Sequence, residues 1–178
     1  MQGSNLEDIL KRDPITKYYH LQDEEIGHGM FSVVKMAIHL ENGNEYAVKV
    51  IKKSQLSADD IKGLYSEVVI LSQLSHPNVV ILEEIYEDEN YFYMVMEMLN
   101  GGNLQTRIEN RINNANGMLF SEEEVVETLK PVIDALDYCH NMGIAHRDLK
   151  VRDWILVAVI RLVCRFLDIV VFCLFSAV

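Results

Sequence analysis

Apolar and polar residues alternate along residues 18–51 and then recur at three- and four-residue spacing, so the chain is predicted to open as strands and continue as helices. From Tyr18 the pattern is strand-like, runs through Ile26-Gly27-His28-Gly29-Met30-Phe31-Ser32-Val33-Val34, and continues in the alternating Val34, Met36 and Ile38. Two strands joined by a glycine loop account for it. Asn42-Gly43 is a strong hairpin signal, and Glu45-Tyr46-Ala47-Val48-Lys49-Val50-Ile51 follows as the next strand. Ser57-Ala58-Asp59-Asp60 then has the form of a capping box. Ile61, Leu64, Val68, Leu71 and Leu74 make the apolar stripe of the helix it opens, with Glu67 beside the stripe.

Pro77 ends that helix, because proline disfavours helical geometry in the residue before it. Val79 to Tyr86 and Tyr91 to Met96 read as two more strands around the acidic turn Glu87-Asp88-Glu89-Asn90. A helical segment near Leu104 to Arg111 leads into the polar loop Asn113-Asn114-Ala115-Asn116-Gly117. Ser121-Glu122-Glu123-Glu124 is a second capping box, and Val125, Leu129, Val132, Ile133, Leu136 and His140 continue one face of a long helix. Pro131 is expected to kink or weaken it, at a cost of about 3 kcal/mol in isolation. The helix delivers the chain to His146-Arg147-Asp148-Leu149-Lys150.

Length and charge narrow the field. The 178 residues suffice for one sizeable core. A net charge of −11 disfavours nucleic acid and anionic lipid as partners, and an acidic surface suits a basic peptide. Cys139, Cys164 and Cys173 have neither metal-ligand spacing nor a disulfide framework, and residues 1–13 carry no apolar signal core, so a cytoplasmic, reducing setting is expected. Residues 1–15, closed by Asp13-Pro14, are expected to form a flexible leader. Residues 151–178 hold three arginines and two aspartates in an otherwise largely apolar run, which leaves −12 on the first 150.

The residues able to do chemistry come in a telling order. Backbone amides approach phosphate oxygens only where no side chain intervenes, and a glycine in a tight bend tolerates positive φ; Gly27 and Gly29 fit that role. Lys49 follows by one hairpin and Glu67 by one helix. Asp148 and Lys150, two residues apart, point the same way in an extended segment. Phosphoryl transfer needs that combination, a carboxylate beside the attacking hydroxyl and a cation over the phosphate being moved.

The set resembles the eukaryotic protein kinase domain. Gly27 to Val34 is similar to G-x-G-x-x-G-x-V with Ser32 at the third glycine, Ala47-Val48-Lys49 to V-A-I-K, and His146 to Lys150 to the start of H-R-D-L-x-x-x-N. A Rossmann turn, the usual rival of such a glycine loop, wants a helix after the loop, whereas here the β-branched alternation continues. Met94 to Gly102 resembles the hinge.

The resemblance implies an α+β, protein-kinase-like fold. Residues 16–98 would form an N-terminal antiparallel five-stranded sheet with one helix, with a hinge near 96–102. Residues 99–157 would hold the first helices of an incomplete helical C-lobe, and 158–178 an apolar tail outside the family pattern. ATP and Mg2+ are implied, with a protein substrate offering a serine or threonine hydroxyl. Around the nucleotide the resemblance puts Ile26, Gly27, His28, Gly29, Ser32 and Val34, with Ala47 leaving room for adenine and Ile155 packing under it. Met96 would be the gatekeeper, the backbones of Glu97 and Met98 would meet the adenine edge, and Asn103 would lie near the ribose. Asp148 would accept or orient the substrate proton, Lys150 neutralise the γ-phosphate, and Lys49 with Glu67 fix the α and β phosphates. Lys150 resembles the serine/threonine branch, and Arg147 resembles kinases switched by activation-loop phosphorylation. Tyr18-Tyr19, Met96-Glu97 and Asp137-Tyr138-Cys139-His140 look most like the calcium/calmodulin-dependent-kinase group.

Beyond Lys150 the sequence departs from the pattern. Asp153 stands where a magnesium-binding asparagine is expected, and a carboxylate there can still ligate the metal. No D-F-G occurs; Asp168-Ile169-Val170 lacks both the aromatic and the glycine, and there is no A-P-E. The expectation is therefore a kinase fragment inactive on its own, with a non-catalytic nucleotide- or partner-binding module as the alternative and a product with no stable fold as a third reading. In the tail, the charge-free run Ile169 to Val178 is ten residues against the ~20 a spanning helix needs. Arg161, Arg165 and Asp168 at i, i+4 and i+7 would share one face of a membrane-surface or partner-docking helix. The competing reading is an unselected sequence, from a shifted frame or a retained intron.

Overall fold

The computed structural model describes residues 6–29, 31–102, 104–114, 120–145, 154–157 and 161–164, the last two segments by their backbone alone. The chain divides into two compact units, Met1–Leu74 with Ile81–Met98, and Ser75–Val80 with Leu99–Val178.

The first unit is built on a sheet. A helical turn α1 (Leu6–Ile9) and a short strand β1 (Leu10–Lys11) precede β2 (Tyr19–His28), β3 (Ser32–His39) and β4 (Glu45–Lys52); α2 (Ala58–Leu71) follows, then β5 (Leu82–Glu87) and β6 (Tyr91–Glu97). The order across the sheet is β1-β5-β6-β4-β3-β2. Strands β2 to β6 make the expected antiparallel sheet, and β1 adds a sixth, parallel to β5, with Leu10 opposite Ile85 and Lys11 opposite Tyr86. Sequence pattern misses β1 because two residues carry no periodicity; long-range pairing alone defines it. Residues 6–15, expected as a flexible leader, are thus tied to the sheet, and Ile15 is buried in its core.

Each face of the sheet has its own packing. One gathers Ile15, Tyr19, Ala37, Val48, Tyr86 and Val95. At its margin Glu84 accepts from the Tyr19 and Tyr86 hydroxyls, at 3.0 and 2.6 Å, and meets the Lys11 ammonium. The other face carries Ile51 opposite Phe92, and Tyr65 of α2 meets the Phe92 ring edge-on at 5.9 Å. Leu64, Val68 and Leu71 bury that side of α2, three members of the expected stripe. The capping box forms as read: Ser57 Oγ accepts from the Asp60 amide, whose carboxylate accepts from the Ser57 amide. Between β3 and β4 the Asn-Gly turn lies in a loop longer than the two-residue form, closed by the His39 amide donating to the Asn44 carbonyl.

In the second unit α3 (Leu104–Asn114) lies against α4 (Glu122–Asn141), with Leu104 and Val132 buried between Ile108 and Leu136. The Ser121 capping box opens α4 as expected. It continues through Pro131, with Val132, Ala135 and Cys139 buried along it. Of the expected stripe Val132 is buried and Leu136 packs beside it, whereas Val125, Leu129, Ile133 and His140 are exposed. Strands β7 (Trp154–Val157) and β8 (Arg161–Cys164) pair antiparallel, β7 near α3 and β8 near α4. Arg161 is therefore on a strand, not at the start of the helical face envisaged for Arg161, Arg165 and Asp168; the latter two lie outside the described residues.

α4 ends in a Schellman motif. The Gly143 amide donates to the His140 carbonyl and the Ile144 amide to the Cys139 carbonyl, both at 2.9 Å, with Gly143 at φ +76°. Gly143 adopts the left-handed conformation that ends the helix. A Cβ at Gly143 would meet nothing within 4 Å, so Gly143→Ala should cost only the left-handed penalty, about 1–2 kcal/mol. Urea unfolding of the two proteins checks it; equal midpoints would contradict the motif's role.

Candidate active site

The site is assembled by strand register. Gly27 pairs with Val34, Val34 with Lys49, and Lys49 with Met94, one lateral row across β2, β3, β4 and β6. Directly opposed residues of antiparallel strands present their side chains on one face, so the Lys49 ammonium shares a face with the glycine turn. One position along, Ala47 lies between Met36 and Met96, a small residue flanked by two long ones.

The glycine turn works by space. The Gly29 amide donates to the Ser32 carbonyl at 2.8 Å, closing the turn from β2 to β3. A Cβ on Gly29 would come within 2.6 Å of Ser32 Oγ, and Ser32 is buried. Positive φ, expected at Gly27 and Gly29, is found at Gly43, Gly102 and Gly143 instead. Glycine is needed at 29 for close approach, and its own amide is occupied by the turn. Ile26 stands exposed before the turn, and the His28 ring nitrogen lies 3.2 Å from the Glu25 carboxylate.

Lys49 and Glu67 are the electrostatic centre. Lys49 is 3% exposed and Glu67 8%. Burial drives the Glu67 carboxyl above its ordinary range, and the Lys49 ammonium acts on it in the opposite direction. An ammonium and a carboxylate taken out of water together each lower the cost of the other. The carboxylate arrives from α2, with Leu64, Val68 and Leu71 buried around it.

At the end of β6 the Glu97 amide donates to the Ile81 carbonyl at 3.2 Å, and the Glu97 carboxylate accepts from the Ile81 amide at 2.9 Å. The amide of Glu97 is thereby engaged within the protein, and the adenine edge expected to meet this backbone is left its carbonyl and the peptide of Met98. Met96 is buried. Of the other expected residues, Asn103, Asp148, Lys150 and Asp153 lie outside the described residues, and Ile155 is described only as part of β7. Among the described residues no cluster of three or more His, Cys, Asp or Glu could hold a metal, and no helix is long and apolar enough to cross a membrane.

Sequence reasoning missed Glu87. Read as part of an acidic turn, it ends β5 and is buried, accepting from Arg12 at 2.9 Å, Lys53 at 2.6 Å and the Tyr65 hydroxyl at 2.7 Å. Three donors distant in sequence leave no local signal.

A sheet with a glycine turn and a buried lysine in one lateral row, and a helix bringing a buried carboxyl, defines an α+β domain of the kinase-like fold. The chain belongs to the protein kinase domain family, whose model matches residues 20–163 and so reaches β8, beyond the point where the motifs depart. It is 36% identical over 136 residues to myosin light chain kinase A of Dictyostelium discoideum, covering 76% of this chain and 44% of that protein. Calcium-dependent protein kinase 5 of Plasmodium berghei is 35% identical over 142 residues, 80% of this chain and 24% of the relative. Calcium/calmodulin-dependent protein kinase type II of Caenorhabditis elegans is 36% identical over 135 residues, 76% and 18%. The chain thus spans less than half the length of these relatives. A crystal structure of Rad53 1-466 in complex with AMP-PNP superposes with a TM-score of 0.72 at 33% identity, covering 85% of this chain and 38% of that one.

The buried pair sets a pH dependence. The folded state raises the Glu67 pKa, so the native protein holds this proton more tightly than the unfolded chain, and stability falls as pH rises above the ordinary 4.5. Lys49→Met removes the ammonium that limits this rise. Its stability should fall more steeply than the parent's between about pH 5 and about pH 9, reaching a deficit of about 3–5 kcal/mol, and adding Glu67→Gln should flatten the curve. Parallel curves in urea unfolding for all three proteins would contradict the pairing.

Proposed function

We propose that this domain is the nucleotide-binding part of a protein kinase that transfers the γ-phosphoryl group of Mg-ATP to a serine or threonine hydroxyl of a protein substrate, and that this chain, which carries no D-F-G and no A-P-E, does not complete the transfer on its own. The observation that carries the reading is the buried Lys49, whose charge acts on the buried carboxyl of Glu67 and which lies level in the sheet with the glycine turn. A lysine 3% exposed is costly to bury unless a carboxylate compensates it and a bound anion uses it. A triphosphate is supported by the glycine turn, where a Cβ at Gly29 would crowd Ser32 Oγ at 2.6 Å, and by Lys49, which stands opposite Val34 in the row that reaches Gly27.

ATP, when bound, supplies the phosphoryl group, and the protein's work is positioning and charge stabilisation. Lys49, aimed by Glu67, holds the α and β phosphates. Ala47 leaves the room that adenine needs between Met36 and Met96, and the Glu97 carbonyl and Met98 peptide hold its edge. Asp148 orients the substrate hydroxyl and takes its proton; Lys150 offsets the charge on the phosphoryl group in transfer. Asp153 is the carboxylate we assign to magnesium. The serine/threonine assignment rests on Lys150 and on the kinase relatives. A net charge of −11 argues for a basic peptide as substrate and against nucleic acid as a partner.

Two measurements on the purified chain test the proposal. Mg-ATP should raise its melting temperature in a concentration-dependent way, because a ligand that binds only the folded state stabilises it. Phosphorylation of a mixed basic serine/threonine peptide pool by this chain should stay at background. Turnover lost in Asp148→Ala would overturn the inactivity of the fragment, and absence of stabilisation by Mg-ATP would refute nucleotide binding.

A further inference from the structure

We propose that the N-terminal segment from Leu6 to Lys17 is a strap that positions α2, acting through the carboxylate of Glu87, and that Tyr65 is the positioning residue by which α2 takes the load. The inference rests on the kinase reading only in what α2 does with Glu67.

Four elements meet at Glu87, whose side chain is 3% exposed at the end of β5. Its Oε2 accepts from Arg12 of the N-terminal segment at 2.9 Å. Its Oε1 accepts from the Tyr65 hydroxyl of α2 at 2.7 Å and from Lys53, just after β4, at 2.6 Å. Lys53 also donates to the Asp88 carbonyl at 3.0 Å, which fixes it against the β5–β6 turn. The donors hold the Glu87 carboxyl below its ordinary range although burial alone would raise it.

The strap is anchored at both ends. Leu10 and Lys11 pair with β5, Lys11 meets Glu84, and Ile15 is buried in the sheet core. α1 also lies directly against α2.

Tyr65 stands two residues before Glu67. A helix that rotates or slides far enough to withdraw Glu67 from Lys49 carries Tyr65 with it, and so must break the bond to Glu87 and the edge-on contact with Phe92. A buried carboxylate stripped of one donor is left with the desolvation cost of the unmatched oxygen. The strap therefore resists the movement that would carry Glu67 away from Lys49.

The test uses the whole chain and two variants that leave the core intact. Tyr65→Phe keeps the ring on Phe92 and removes the hydroxyl; Arg12→Glu reverses a side chain that is 66% exposed. Amide hydrogen exchange, read by mass spectrometry, should speed up by roughly three- to tenfold in α2 in each variant, with β3 and β4 unchanged. The double variant should show less than the product of the two single effects, since both act through one carboxylate. Affinity for Mg-AMP-PNP should weaken by a similar factor. Faster exchange spread evenly over sheet and helix, or unchanged exchange in α2, would overturn the proposal. Selective loosening of α2 in a chain that binds no nucleotide even as the parent would uphold the strap and count against the kinase reading alone.

Discussion

The structure of the first unit depends on one costly act, the burial of a lysine. An ammonium brought out of water onto the face of a sheet has to be met by a carboxylate, and the nearest route for one is from a helix laid across that face. Leu64, Val68 and Leu71 supply the apolar contact that holds α2, and the helix buries Glu67 where the Lys49 ammonium offsets part of the cost of its burial. The register of β3 and β4 then puts the glycine turn level with the ammonium, because Val34 opposes both Gly27 and Lys49. A slip of one residue in that register would turn Lys49 to the opposite face.

That opposite face shows how the constraint is supported. Tyr19, Ala37, Val48, Tyr86 and Val95 form a second core, roofed by the segment that carries Ile15. With both faces occupied the sheet has little freedom to flex, and the position of Lys49 is held from behind as well as from α2. Two carboxylates of β5, Glu84 and Glu87, tie this arrangement to the N-terminal segment through Lys11 and Arg12.

Where local chemistry decides structure, the sequence was legible. Both capping boxes form between the residues expected, since Ser57 with Asp60 and Ser121 with Glu124 need only their neighbours. The alternation around Val34 and Val48, and the stripe through Leu64, Val68 and Leu71, likewise report burial directly. Features decided at a distance were not legible. β1 exists only because β5 offers an edge, Glu87 is buried only because Arg12, Lys53 and Tyr65 converge on it, and the amide of Glu97 is engaged only because Ile81 runs beside it. The face of α4 was legible only in part: Val132 is buried and Leu136 packs beside it as the stripe requires, yet Val125, Leu129 and Ile133 are exposed while Ala135 and Cys139 are covered. Periodicity finds an apolar face without saying which part of it meets a partner.

The account stands or falls on whether the ammonium of Lys49 lies where a nucleotide's phosphates bind. An acyl-phosphate derivative of ATP, which transfers its acyl group to an amine beside the phosphates, reads this directly when the modified lysines are located by mass spectrometry. Lys49, 3% exposed, should be labelled ahead of Lys62, whose side chain is 78% exposed, and excess ATP should suppress the labelling of Lys49 and leave that of Lys62 unchanged. Labelling that follows exposure, with Lys62 ahead of Lys49 and no response to ATP, would contradict it.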